Sequence, residues 1–180
     1  MKKIMISALL LGAGAFAQSS PDIDKPLMAA PDNMKAAATV VKWKSDFTYD
    51  TLKKGTNKMV CNDLSGKPTH ERTPFVVECT SLTNLDRVAQ NLKFEAIPEK
   101  AARDAAFDKA EKDGSRVKPE FGSVWIHLMG ADAEHTRKHV TVAVPGATSQ
   151  SLGLPENGQQ GGIWIMNPGT TTAHLMTPGN

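Results

Sequence analysis

Gly161-Gly162-Ile163-Trp164-Ile165-Met166-Asn167-Pro168-Gly169-Thr170-Thr171-Thr172-Ala173-His174-Leu175-Met176-Thr177-Pro178 sets two alternating runs on either side of a turn signal. Pro168 fixes φ at the second position of a turn, and Gly169 suits the positive φ that a type II turn requires at the third. Ile163 and Ile165 point to one side of an extended chain, Trp164 and Met166 to the other. Beyond the turn, Ala173 and Leu175 oppose His174 and Met176 in the same way.

Two upstream runs alternate with the same character, Phe121 to Met129 and His139 to Val144. Together the four runs divide into two sets. Val124, Ile126, Leu128, Val140, Val142, Val144, Ile163, Ile165, Ala173 and Leu175 are purely aliphatic, which predicts a core face. Trp125, His127, Met129, His139, Thr141, Trp164, Met166, His174 and Met176 fall on the opposite parity. If the four runs share one sheet, this second face is where a function would sit.

Shorter strand signals precede them, at Ala38 to Lys44, Phe47 to Leu52, Lys58 to Asn62 and Phe75 to Cys79. Between the two halves, Ser81 can cap a helix carrying Leu82, Leu85, Val88 or Ala89, and Leu92, the 3.6-residue period. A second helix is expected from Glu99 to Asp113, after Pro98 and ending at Gly114. The expected architecture is one α+β domain over residues 38–180: a mostly antiparallel sheet, two helices and one disulfide.

The first 17 residues read as a secretory signal peptide. Lys2 and Lys3 precede an apolar run from Ile4 to about Ala15, and Ala15-Phe16-Ala17 is an A-x-A cleavage site. Residues 18–37, with Pro21, Pro26 and Pro31, read as a flexible leader. The sequence holds 21 Lys+Arg and 19 Asp+Glu, and removal of Lys2 and Lys3 brings the two counts level. The basic excess thus belongs to the targeting segment, leaving no nucleic-acid footprint. No stretch after the signal is long enough to span a membrane as a helix. Export, to the periplasm or outside the cell, makes Cys61 and Cys79 a disulfide pair.

Two chemistries are written into the His/Trp/Met face. His127, His139 and His174, with Met129, Met166 or Met176 as soft ligands, have the composition of a copper or zinc site, since imidazole suits both metals and thioether favours Cu(I). A hydrolase using His139 or His174 as base with Asp132 or Glu134 is the other. There is no nucleophile elbow, P-loop, dinucleotide fingerprint or H-E-x-x-H motif. Packing explains the same residues without any chemistry, because a sheet covered on both sides also uses Trp and Met as fillers. The reading adopted is a non-enzymatic structural or binding domain with no assigned catalytic residue, cofactor or partner, the metal site and the hydrolase being its alternatives.

Lys54-Gly55-Thr56-Asn57, Cys61-Asn62-Asp63, Cys79, the Gly161-Gly162-x-Trp164-Ile165-Met166 block and Gly169-Thr170 with Ala173-His174-Leu175-Met176-x-Pro178 form a pattern. In it the chain resembles a group of short exported bacterial proteins of unassigned function. The resemblance implies export and supplies no catalytic residues. Lys58-Met59-Val60 departs from the group where a tryptophan is expected, and Thr171-Thr172 stands where an aromatic is usual.

The paired cysteines generate the first prediction. Replacing both Cys61 and Cys79 with alanine opens a loop of 17 intervening residues, which should lower the unfolding free energy by roughly 3 kcal/mol in urea titrations. Two alkylatable thiols in protein purified from an oxidising compartment would rule the bond out.

Overall fold

The computed structural model describes residues 20–67 and 73–177; the expected signal peptide, part of the polar loop after Asn62, and Pro178 of the closing motif lie outside these residues. Eight strands are present: β1 Thr39–Trp43, β2 Tyr49–Lys53, β3 Met59–Asp63, β4 Phe75–Ser81, β5 Val124–Gly130, β6 Thr136–Ala143, β7 Trp164–Met166 and β8 His174–Met176. They form one sheet in the order β2-β1-β3-β4-β5-β6-β8-β7. Every neighbouring pair is antiparallel except β1 with β3. The α+β class and the mostly antiparallel sheet therefore hold.

The helix count does not. Among the described residues there are five α-helices where two were expected: α1 Pro21–Leu27, α2 Asp32–Lys35, α3 Leu85–Glu95, α4 Lys100–Lys112 and α5 Ser149–Leu152. The first two occupy the stretch expected as a flexible leader. Pro21 opens α1, where a missing N–H costs nothing. Ala29 and Ala30, just after α1, are buried with Met59, Cys61, Val77, Cys79 and Ile126 on one face of the sheet. Short alanine side chains let this chain segment lie close against the strands. The segment contributes to the core, a role its proline content concealed.

On the opposite face Leu85, Val88 and Leu92 of α3 pack on Val41, Trp43, Val60 and Val76. Both faces of β3 and β4 are thus covered, which is why Phe75-Val76-Val77 is a continuous apolar run and not an alternating one. The helix itself begins later than expected. Ser81 precedes a 3-10 turn at Leu82–Asn84, and its hydroxyl is bonded to Glu120 at 2.6 Å instead of capping α3.

The disulfide Cys61–Cys79 lies where β3 and β4 place the two residues directly opposite, with both fully buried. It locks two strands already paired, and the loop it closes runs out from their far ends.

The aliphatic set is less uniformly a core face than expected. Ile126, Val144, Ile165 and Ala173 are buried, but Val124 and Ile163 are 39% and 45% exposed, and Leu128, Val140, Val142 and Leu175 are half-buried. The cover over this face, Ala29, Ala30 and the residues around them, sits over β3, β4 and Ile126. Strand β6 also begins at Thr136, three residues before the expected start, because Thr136, Arg137 and Lys138 pair with Gly130, Met129 and Leu128. The closing hairpin has its turn at Asn167–Thr170, with Thr170 N–H donating to Asn167 O at 3.4 Å and Gly169 at φ 78°.

Lys54-Gly55-Thr56-Asn57 is a clamp on the helical N-terminal segment. Thr56 and Asn57 N–H both donate to Ala37 O, at 2.8 and 3.0 Å. Asn57 Nδ2 donates to Met34 O at 3.1 Å. The Lys53 ammonium reaches the carbonyls of Lys35, Ala36 and Ala38 at 3.1, 2.7 and 3.0 Å. A Cβ at position 55 would lie 2.2 Å from Ala37 O, so glycine is required by close backbone approach. Gly55→Ala should cost about 1–3 kcal/mol or more. At about 2–4 °C per kcal/mol this is a Tm lowered by roughly 2–12 °C in a thermal melt, against no significant change for Lys54→Ala.

Candidate functional site

One line across the sheet carries polar residues through its covered interior. The strand registers set Asn62 opposite Glu78, Glu78 opposite His127, and His127 opposite His139. Asn62 and Glu78 are 1% and 4% exposed. A carboxylate that deep must be compensated by donors. His127 Nε2 supplies one to Glu78 Oε2 at 2.7 Å, and Asn62 Nδ2 another to Glu78 Oε1 at 3.3 Å. The Glu78 contact places a proton on Nε2 of His127. Nδ1 is then left buried with no partner among the described residues. Burial works against a charged ring here, but the hydrogen bond and negative charge of Glu78 outweigh it and raise the pKa of His127.

His139 lies beside it, ring centroids 6.3 Å apart and planes inclined by 35°. Burial first, then the charges of His127, His174 and Arg137, lower the pKa of His139. The third histidine comes from β8. His174 Nδ1 lies 2.7 Å from Thr172 O, a contact in which the ring N–H donates to the carbonyl.

These three imidazoles line a single cleft of about 200 Å³, together with Arg87 and Asn91 of α3, Pro119, Trp125, Thr141, Ala143, Thr172 and Ala173. The space is well beyond the ~10–15 Å³ that one water requires. The shared parity of His127, His139 and His174 thus brings all three to one place. It does not converge them. His174 pairs with Ala143, four residues along β6 from His139, or roughly 13 Å at about 3.3 Å per residue. Trp125 and Thr141 face each other in the row between.

The copper- or zinc-type set meets this geometry badly. Among the described residues no group of three or more His, Cys, Asp or Glu is disposed to hold a metal ion. Met166 is 40% exposed, and neither it nor Met176 lines the cleft; Met176 sits opposite Thr141 and Trp164. The carboxylates paired with histidine in the hydrolase alternative also lie elsewhere. Asp132 accepts from His135 Nδ1 at 2.8 Å on the exposed β5–β6 turn, Glu134 is exposed, and neither lines the cleft.

Several site residues escaped the sequence reading. Arg87, 4% exposed, donates through Nη1 to Val117 O and Thr171 Oγ1 and through Nη2 to Thr172 Oγ1, at 2.5, 2.9 and 2.8 Å. Both threonines in turn donate to Glu111 of α4, and Thr171 N–H reaches the same carboxylate at 3.1 Å. Arg87 and Glu111 therefore communicate through a pair of hydroxyls. Burial, then the neighbouring Arg116, push the Arg87 pKa down to about 10, against the pull of Glu111. Arg116 is held over the Phe107 and Phe94 rings, at 4.9 and 5.5 Å, and donates to Asn91 Oδ1, which orients that amide at the cleft wall. The signal for Arg87 was present. Asn84, Arg87 and Asn91 recur at helical spacing along the border of the apolar stripe of α3. For Glu78 the signal was a lone carboxylate inside the apolar strand Phe75 to Cys79.

The raised pKa of His127 fixes a sign. A group whose folded pKa exceeds its unfolded value of about 6.5 contributes stability that is fully present below that value and is lost as pH rises through the folded one. The stability gap between the wild type and His127→Gln, measured by urea unfolding, should therefore be wider at pH 6 than at pH 9. An equal gap at both would show that the Glu78 contact is not a charged one.

No family model matches this chain, and comparisons with curated proteins and with solved structures likewise give no match, so a functional reading rests on the cleft itself.

Proposed function

We propose that this protein is a non-enzymatic binding domain that works outside the cytoplasm and holds a small ligand in the histidine cleft. The observation that carries this is the convergence of side chains from α3, β5, β6 and the segment leading into β8 on one partly enclosed space. Glu78 and the carbonyl of Thr172 hold two of the rings in fixed orientations. Partner groups of that kind fix a recognition surface before the ligand arrives. A buried disulfide is compatible with an oxidising compartment.

A thermal-shift screen of small organic acids, amides, amines and divalent metals against the mature protein tests the reading. A true ligand at 100 times its Kd should stabilise the wild type by about 2.7 kcal/mol. The same compound should shift the His139→Gln/His174→Gln double variant much less. The reading fails if nothing shifts the wild type, or if every active compound shifts both proteins equally.

A further inference from the structure

We propose that the ligand of this cleft is a small organic carboxylate, its charge met by Arg87, its oxygens within reach of the imidazole rings, and its apolar body lying against Trp125 and Pro119. The inference rests on the cleft being a binding site and goes on to name what it binds.

The first support is the composition of the wall. One arginine and three histidines line it, and no aspartate or glutamate does. The two carboxylates closest to these groups by hydrogen bonding stand behind them. Glu78 is engaged by His127 and Asn62, and Glu111 by Thr171 and Thr172. Arg87 is thus the fixed charge of the wall, and a concave surface carrying one sign of charge concentrates ligands of the opposite sign. Divalent cations are disfavoured by the same fact, since a fixed positive charge and no anionic ligand would face them.

The second support is Arg87. Its pKa of about 10 keeps it protonated at neutral pH. Of its five donors, three are directed to Val117 O, Thr171 and Thr172, which leaves Nε and one Nη2 hydrogen without a partner among the described residues. Those bonds hold the guanidinium plane still, and a fixed guanidinium matches the two oxygens of a carboxylate.

The third support is the remainder of the lining. Pro119, Trp125, Ala143 and Ala173 give apolar wall beside the polar groups. Such a wall suits a monoanion with an apolar body and leaves much of a bare phosphate dianion without donors.

The test is calorimetric titration of the mature protein with four probes: benzoate, its neutral isostere benzamide, acetate, and inorganic phosphate. Benzoate should bind at least tenfold tighter than benzamide, because of its charge, and tighter than acetate, because of its ring. The His139→Gln/His174→Gln double variant should bind benzoate at least tenfold more weakly. Arg87→Lys, checked for folding by circular dichroism, should weaken it several-fold through loss of the planar fork. Should Arg87→Lys not fold, the histidine variant decides alone. Benzamide binding as well as benzoate, phosphate binding more tightly than benzoate, or benzoate affinity unchanged in the histidine variant would each overturn the proposal. If neutral or cationic compounds shift the wild type in the broader screen while all four probes fail, the carboxylate falls and the cleft remains a binding site. If both experiments are blank, both readings fall.

Discussion

A glutamate carboxylate 4% exposed in the middle of an eight-stranded sheet is the constraint around which this structure is arranged. An isolated charge at that depth would be too costly to keep, so the strands on either side must present donors at the same height. That requirement ties three registers together. Slipping β5 by one residue would replace His127 with Trp125's or Met129's intervening aliphatic neighbours and leave Glu78 bare. The polar row across β3, β4 and β5 therefore acts as a register lock in a region whose apolar residues alone would tolerate several pairings. The disulfide at Cys61 and Cys79, one residue away on each strand, fixes the same alignment covalently.

Much of the fold was legible because it is written in period 2. Alternation in Trp125 to Met129, in His139 to Val142 and on both sides of Asn167-Pro168-Gly169 placed strands, parity and turn within a few residues of where they lie. What alternation could not supply was the third dimension. Parity put His127, His139 and His174 on one face, but the four-residue offset between His139 and the partner of His174 depends on how β8 pairs with β6, and the 30 residues between those two strands leave that register open. A metal set needs its ligands at one point, and parity places them only on one face. Likewise the aliphatic set looked like core because nothing in a strand's own residues says how far its covering elements extend.

The N-terminal helices and Arg87 were missed for a different reason. Three prolines in a stretch without apolar periodicity resemble a linker, yet Ala29 and Ala30 are buried because small side chains permit close approach, not because they form a stripe. An arginine on a helix is ordinarily a solvated charge. Here the helix leans its polar border over the sheet, and backbone and hydroxyl oxygens from Val117, Thr171 and Thr172 take the place of water. Such partners lie 30 to 85 residues away and have no local signature.

The relay from Arg87 through Thr171 and Thr172 to Glu111 has a consequence for how the molecule is assembled. It joins a helix from the middle of the chain to the last hairpin, across a separation of more than 80 residues. Contacts of that span carry a loop-closure cost that local contacts do not. The cleft consequently has no existence in any partial fold: its floor belongs to β5 and β6, its wall to α3, and its rim to the final turn. A chain that has folded through β6 and stalled would display the imidazoles of His127 and His139 on an open sheet. Docking of the last hairpin turns that surface into an enclosure, so completeness of the fold and competence of the site arrive in the same step.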